Sequence, residues 1–234
     1  MNRTGRERLW EIDVIRGTAL VLMIFFHILF TLKEVYGYDV HYNQGIYYYI
    51  GKTSAIMFIL ISAVSTSFSR NNIKRALKFI AVAALITVVT HLYNPALGIK
   101  FGIIHFLGLS VLLAQVFNKI SSYLLAVLGI LIIAAGLFLG PIAFDNNYLF
   151  LFNMTGTGWV SADYYPLFPW FGVFLFGIIL GRVFYPAKVS RFDSEPRSGL
   201  INFLGFLGRH TLIIYLIHEP VLVLLIGVYK KILG

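Results

Sequence analysis

Seven stretches of about twenty mostly apolar residues follow one another along the 234-residue chain, and that is the length an α-helix needs to cross the hydrocarbon core of a bilayer. They run from Trp10 to Leu32, Tyr47 to Phe68, Ala76 to Tyr93, Phe101 to Phe117, Tyr123 to Leu139, Tyr164 to Tyr185 and Arg209 to Tyr229. A composition that is 59% hydrophobic and 12% charged, with a mean hydropathy of +0.82, places the chain far from soluble globular domains. The expected fold is all-α: a polytopic membrane helix bundle of about seven transmembrane helices, organised as one domain over 1–234. The first stretch is too long for a signal-peptide core and has no small-x-small cleavage site behind it, so it is expected to stay as an uncleaved first span.

The basic residues set the orientation. With the N-terminus in the cytoplasm, fourteen of the nineteen Lys and Arg residues fall on the inner side, and Lys33, Lys52, Lys100, Lys230 and Lys231 fall outside. The positive-inside rule therefore favours N-in and C-out, and the net charge of +9 reads as topology and anionic-lipid contact rather than nucleic-acid binding. The polar stretch "YPAKVSRFDSEPRSG" reads as an inner loop, followed by "LINFLGFLG" as a short interfacial or re-entrant piece. The loop "GPIAFDNNYLFLFNMTGTGWVSAD" has no basic residue and several aromatics, which suits either an acceptor-binding lid or a connector resting on the membrane surface. No internal repeat is visible, and an odd number of spans argues against two inverted halves of the transporter kind.

Ionisable groups inside these spans carry the functional information, because a charge at the bilayer centre costs roughly 3 kcal/mol and persists only with a partner or a watery cavity. Asp13 and Arg16 are three residues apart on the first helix and able to pair. Arg16 and His27, eleven positions apart, fall within about 20° of one face, and Asp13 and His27 are separated by roughly 21 Å along the axis. In this topology His27, His41, His91, His105 and His218 lie in the outer half, with Asp163 opening the sixth span, while His210 lies inside. Imidazole is the usual general base near neutral pH. An inter-helix hydrogen bond is the plain alternative for any one of these histidines, and a structural ion pair is the alternative for Asp13 and Arg16. With no Cys in the chain, thiol redox chemistry, thiolate metal sites and acyl-Cys intermediates are excluded. No two histidines sit at i, i+4 and no HExxH occurs, so no metal site is expected.

Four pieces, "RLWEIDVIRGTALVLMIFFH", "FGIIHFLGLSVLL", "ADYYPLFPWFGVFLFG" and "FLGRHTLIIYLIHEPVL", together resemble the heparan-α-glucosaminide N-acetyltransferase family within the transmembrane acyltransferases. The resemblance implies an enzyme that moves an acetyl or other acyl group from cytoplasmic acetyl-CoA to an amine or hydroxyl of a sugar-like acceptor on the outer side of the cell membrane. The family's catalytic His lies in the first outer loop shortly before a Gly, a position that "HYNQG" gives to His41. Where the animal enzyme has Asn, this chain has His27. The large lumenal domain and extra helices of the animal enzyme have no counterpart here, so heparan itself is not the expected acceptor.

On this reading His41, His27 and Asp163 are the expected catalytic residues. Arg16, Arg75 and Arg209 at the inner rim meet the phosphates of CoA, and His105, Trp170 and His218 line the acceptor site. Acetyl-CoA is the only co-substrate expected and no metal is; the partners are the sugar or amino-sugar acceptor, membrane lipid and no nucleic acid, and a homodimer is compatible with the sequence. Two other functions use the same groups: a small-solute or proton-coupled transporter or exporter, and an accessory membrane subunit whose polar residues only hold helices together.

Overall fold

The computed structural model describes residues 9–69, 71–140, 142, 144, 146–192 and 198–233. Of the basic residues used above for orientation, Arg3, Arg6, Arg8, Arg70 and Arg197 lie outside the described residues, as does the 193–197 part of the expected inner loop. The described chain is all-helical: α1 (Trp10–Glu34), α2 (Gly45–Val64), α3 (Asn72–Tyr93), α4 (Ile103–Phe117), α5 (Ser122–Leu139), α6 (Leu167–Phe184), α7 (Gly199–Arg209) and α8 (Thr211–Leu233). No strand occurs among the described residues beyond two isolated bridges, Phe101–Tyr164 and Phe144–Gly156. Six helices, α1, α2, α3, α5, α6 and α8, are long and apolar enough to cross a membrane, and α4 is a shorter apolar helix of 15 residues. The protein is an integral membrane protein.

The boundaries depart from the hydropathy reading where capping, rather than apolarity, decides them. α3 begins at Asn72, four residues before the expected span, because the Asn71 side chain accepts the Lys74 N–H and draws the polar "NIKR" turn into the helix. The last expected span, from Arg209, begins two residues later: α7 closes at Arg209 and α8 opens at Thr211. The interfacial piece is thereby α7, whose Leu200, Phe203 and Phe206 remain exposed.

The chain divides into two compact units, Met1–Phe58 with Val189–Gly234, and Ile59–Lys188. In the first, α7 lies directly on the start of α1. A Cβ on Gly17 would overlap the Leu204 carbonyl oxygen and one on Gly208 the Asp13 carbonyl oxygen, so the two backbones touch only because both positions lack a side chain. The buried Glu11, in the first turn of α1, accepts the Ser190 hydroxyl at 3.1 Å and the Arg191 N–H at 3.2 Å, which ties the segment before α7 to the same end of α1. Ser54 of α2 donates to the Ala19 carbonyl at 2.8 Å. At the far end of α1 the Tyr36 hydroxyl donates to the Val223 carbonyl and pins α8 alongside.

The second unit holds the end of α2 and helices α3 to α6. Phe106 of α4 and Phe174 of α6 are fully buried and meet edge to face. Arg182, in the last turn of α6, donates to the Asn118 and Ile120 carbonyls, both at 2.8 Å, and so satisfies carbonyls that the C-terminus of α4 leaves open. The loop between α5 and α6 is built on aromatic contacts: Phe150 stacks on Trp159 with ring centroids 5.2 Å apart, and the Lys100 ammonium lies 4.5 Å from the other partner's centroid, that of Trp159.

Candidate active site

The first unit concentrates four polar side chains between α1 and α8. His27 Nδ1 lies 3.1 Å from Glu219 Oε2; a carboxylate oxygen can only accept, so Nδ1 carries the proton and Nε2 keeps the lone pair. The fully buried Thr31, one turn further along α1, donates to Glu219 Oε1 at 2.6 Å. His218 meets His27 edge-on with ring centroids 4.7 Å apart. Its Nδ1 lies 2.6 Å from the Tyr215 carbonyl, which makes Nδ1 a donor, and its Nε2 is buried with no hydrogen-bond partner, 3.9 Å from Glu219 Oε2. Pro220, inside the continuous helix α8, has no N–H to offer the preceding turn, so one helical hydrogen bond is missing beside the two site residues.

A carboxylate that holds one ring nitrogen of a histidine fixes its tautomer and stabilises the imidazolium formed when the other nitrogen takes a proton, the arrangement by which a histidine becomes an oriented general base. His27 has this arrangement. Glu219 was not among the residues singled out in the sequence, where it is one acid in "LIHEPVL"; a carboxylate in the middle of an apolar 23-residue helix was the available signal.

His41 lies in the loop after α1, 62% exposed, with Asp39 Oδ1 at 3.8 Å. Its neighbour Tyr42 ties that loop down over the cluster: the Tyr42 ring meets Phe26 at 5.5 Å and Phe30 at 5.6 Å, the two rings that flank His27 on α1, and its hydroxyl donates to Glu34 at 2.9 Å. Burial and the adjacent Glu34 carboxylate push the Tyr42 phenol up to about 12.

At the opposite end of α1, Arg16 pairs with the buried Asp13 at 2.9 Å. Arg209 follows Gly208, the residue packed on the Asp13 carbonyl, so the fold brings Arg16 and Arg209 to one end of the α1–α7 pair. Arg75 belongs to the second unit, where it donates to the Ser62 hydroxyl at 2.8 Å and lies over the Phe79 ring.

The remaining expected site residues also lie in the second unit. Asp163 accepts the Ile103 N–H at 2.8 Å and so meets the first turn of α4. His105 accepts the Gly102 N–H through Nδ1 at 3.2 Å and donates through Nε2 to the Thr87 hydroxyl at 2.9 Å, which in turn donates to the Ile99 carbonyl. Both ring nitrogens are engaged with the structure that closes the α3–α4 turn. Trp170 packs against Tyr165 with centroids 5.0 Å apart. Burial pushes the Tyr164 phenol, before α6, up to about 12.

Spacing in the sequence offers no pair of metal ligands, yet the fold brings donor atoms of His27, His218 and Glu219 within 4.8 Å of one another. The helical period could not show this, because the ligands come from the first and last long helices.

Comparison with known proteins bears on the same elements. No curated protein and no solved structure matches the chain significantly. The family model described as heparan-alpha-glucosaminide N-acetyltransferase, catalytic, matches residues 8–220, from two residues before α1 through the His218–Glu219 pair of α8. The chain therefore belongs to the heparan-alpha-glucosaminide N-acetyltransferase catalytic family, a family of membrane acetyltransferases.

Proposed function

We propose that the protein transfers an acetyl group from acetyl-CoA, bound from the cytoplasm, to an amine or hydroxyl of a sugar-like acceptor on the outer side of the cell membrane. The observation that carries this reading is the His27–Glu219 hydrogen bond of 3.1 Å in a chain of this family. An oriented histidine in an apolar helix pair suits acyl transfer, which needs a base but no redox centre.

Arg16 and Arg209 offer two cations at the inner end of the α1–α7 pair, where phosphate groups of CoA would dock. From there the pantetheine arm extends along α1 toward His27, about 17 Å further at 1.5 Å per residue. His27 Nε2 takes the proton of the acceptor as its nitrogen or oxygen attacks the thioester carbonyl. The new C–N or C–O bond forms, the C–S bond breaks, and CoA leaves as the thiolate, which the proton on His27 neutralises. Glu219 holds Nδ1–H throughout and steadies the imidazolium.

The family resemblance assigns the base to His41. Its exposure and the absence of a hydrogen-bonded orienting carboxylate favour a role in meeting the acceptor at the outer mouth instead. His218, its Nε2 buried beside Glu219, packs edge-on against the His27 ring. The test is thiol release from acetyl-CoA by the detergent-purified protein in the presence of amino-sugars. Release that depends on the amino-sugar supports the reading; no release with any amine or hydroxyl acceptor, from protein whose melting temperature acetyl-CoA does not raise, removes it.

A further inference from the structure

We propose that His27, His218 and Glu219 form a binding site for one zinc-class divalent cation. Their donor atoms lie within 4.8 Å of one another, with His27 Nδ1 at 3.1 Å and His218 Nε2 at 3.9 Å from Glu219 Oε2. A tetrahedral zinc ion with bonds of about 2.0–2.1 Å sets its ligand atoms about 3.3 Å apart. The two separations from Glu219 bracket that value, and a swing of the His218 ring toward His27 brings the third, which lies within 4.8 Å, into range.

The orphaned nitrogen is the second observation. The His218 side chain is 6% exposed, its Nδ1–H is committed to the Tyr215 carbonyl, and the lone pair on Nε2 faces the carboxylate with no donor opposite. A cation resolves that arrangement: it meets the lone pair and is matched by the negative charge of Glu219. The outer contacts are those that ligating residues ordinarily have, a backbone carbonyl on the far nitrogen of His218 and the Thr31 hydroxyl on the far oxygen of Glu219. His27 and Glu219 are 27% and 31% exposed, which leaves a path in and a fourth coordination position open. Two imidazoles and one carboxylate favour zinc, cobalt or nickel over magnesium.

Cation binding and base catalysis use the same ring. With the ion on Nδ1, a neutral His27 must carry its proton on Nε2, so no lone pair remains for the acceptor; the tautomer changes and no proton is released. The bound ion is therefore an inhibitor, a consequence that rests on the acyl-transfer reading, whereas the binding itself does not.

Full-length protein in detergent is stripped with a chelator and titrated with ZnCl2 or MgCl2 while thermal unfolding is followed, and separately with CoCl2 while visible absorption is recorded. We expect saturable stabilisation by zinc at one ion per chain, none by magnesium at the same concentrations, and the intense visible bands of tetrahedral cobalt. Both signals should be lost in His218→Asn and Glu219→Gln. A wild-type protein with no saturable zinc or cobalt response overturns the site, as does a response unchanged in both variants. If either variant fails to fold, displacement of cobalt by one equivalent of zinc in the wild type decides. Zinc should also suppress acetyl transfer, with chelator restoring it; binding without inhibition would leave the site standing and remove His27 as the base.

Discussion

Glu219 accepts the Nδ1–H of His27 at 3.1 Å across α1 and α8, although the two residues are 192 positions apart. Because Thr31 holds the other carboxylate oxygen, the carboxylate cannot rotate freely, and the His27 ring is fixed from one side only. Its second nitrogen is left for chemistry.

Removing the charge while keeping the shape tests that relationship. Glu219→Gln should lower kcat for acetyl transfer by roughly 10- to 100-fold, within the range of general-base effects, because an amide oxygen still accepts from Nδ1–H but no longer neutralises the imidazolium. KM for acetyl-CoA should stay unchanged. Steady-state kinetics on the folded variant decides, and an equal change in both parameters would assign Glu219 to packing.

The two candidate bases are ranked by a pair of variants. His27→Asn should abolish transfer to the level of roughly 100-fold loss or more, whereas His41→Ala, in an exposed loop, should raise KM for the acceptor and retain much of kcat. The reverse ranking would put the base in the loop and leave the α1–α8 cluster as a binding element.

Charge reversal at Arg16 should weaken donor binding more than acceptor binding, read as the loss of the melting-temperature shift produced by acetyl-CoA. Arg16 is partly exposed beside the buried Asp13, so an equal loss for both substrates would mark it as only the partner of that carboxylate.

Gly208→Leu should separate α7 from α1, since any side chain there meets the Asp13 carbonyl. Overpacking of this kind costs about 1–3 kcal/mol, and a thermal unfolding curve of the detergent-solubilised protein should move down accordingly. An unchanged midpoint would show that α7 does not rest on α1.

Tyr42→Phe tests the loop over the cluster. The folded-state pKa of about 12 exceeds the ordinary value of 10.0, so the protonated phenol contributes stability that is fully present below pH 10.0 and lost as pH rises through about 12. The variant should be slightly less stable than the wild type at neutral pH, by at most about 1 kcal/mol for a half-exposed hydrogen bond, and the difference should vanish at the alkaline end. A difference that persists there would trace to packing on Phe26 and Phe30.

Much of this protein was legible without coordinates. The apolar lengths dictated helices across a membrane, because lipid leaves the backbone no other partner than itself. The i, i+3 spacing placed Asp13 against Arg16, which the structure shows at 2.9 Å, and four short motifs pointed to the family that the match over residues 8–220 establishes. Local capping was less visible: Asn71 extends α3 into a turn too polar to count as a span. The site itself was decided by tertiary structure. Helical periodicity says which face of α1 carries His27, but not which other helix covers that face, and the pairing with α8 depends on contacts such as Tyr36 to Val223 that have no local signature. Only that pairing turns His218 and Glu219, two ordinary neighbours in the last helix, into the partners of a histidine near the other end of the chain.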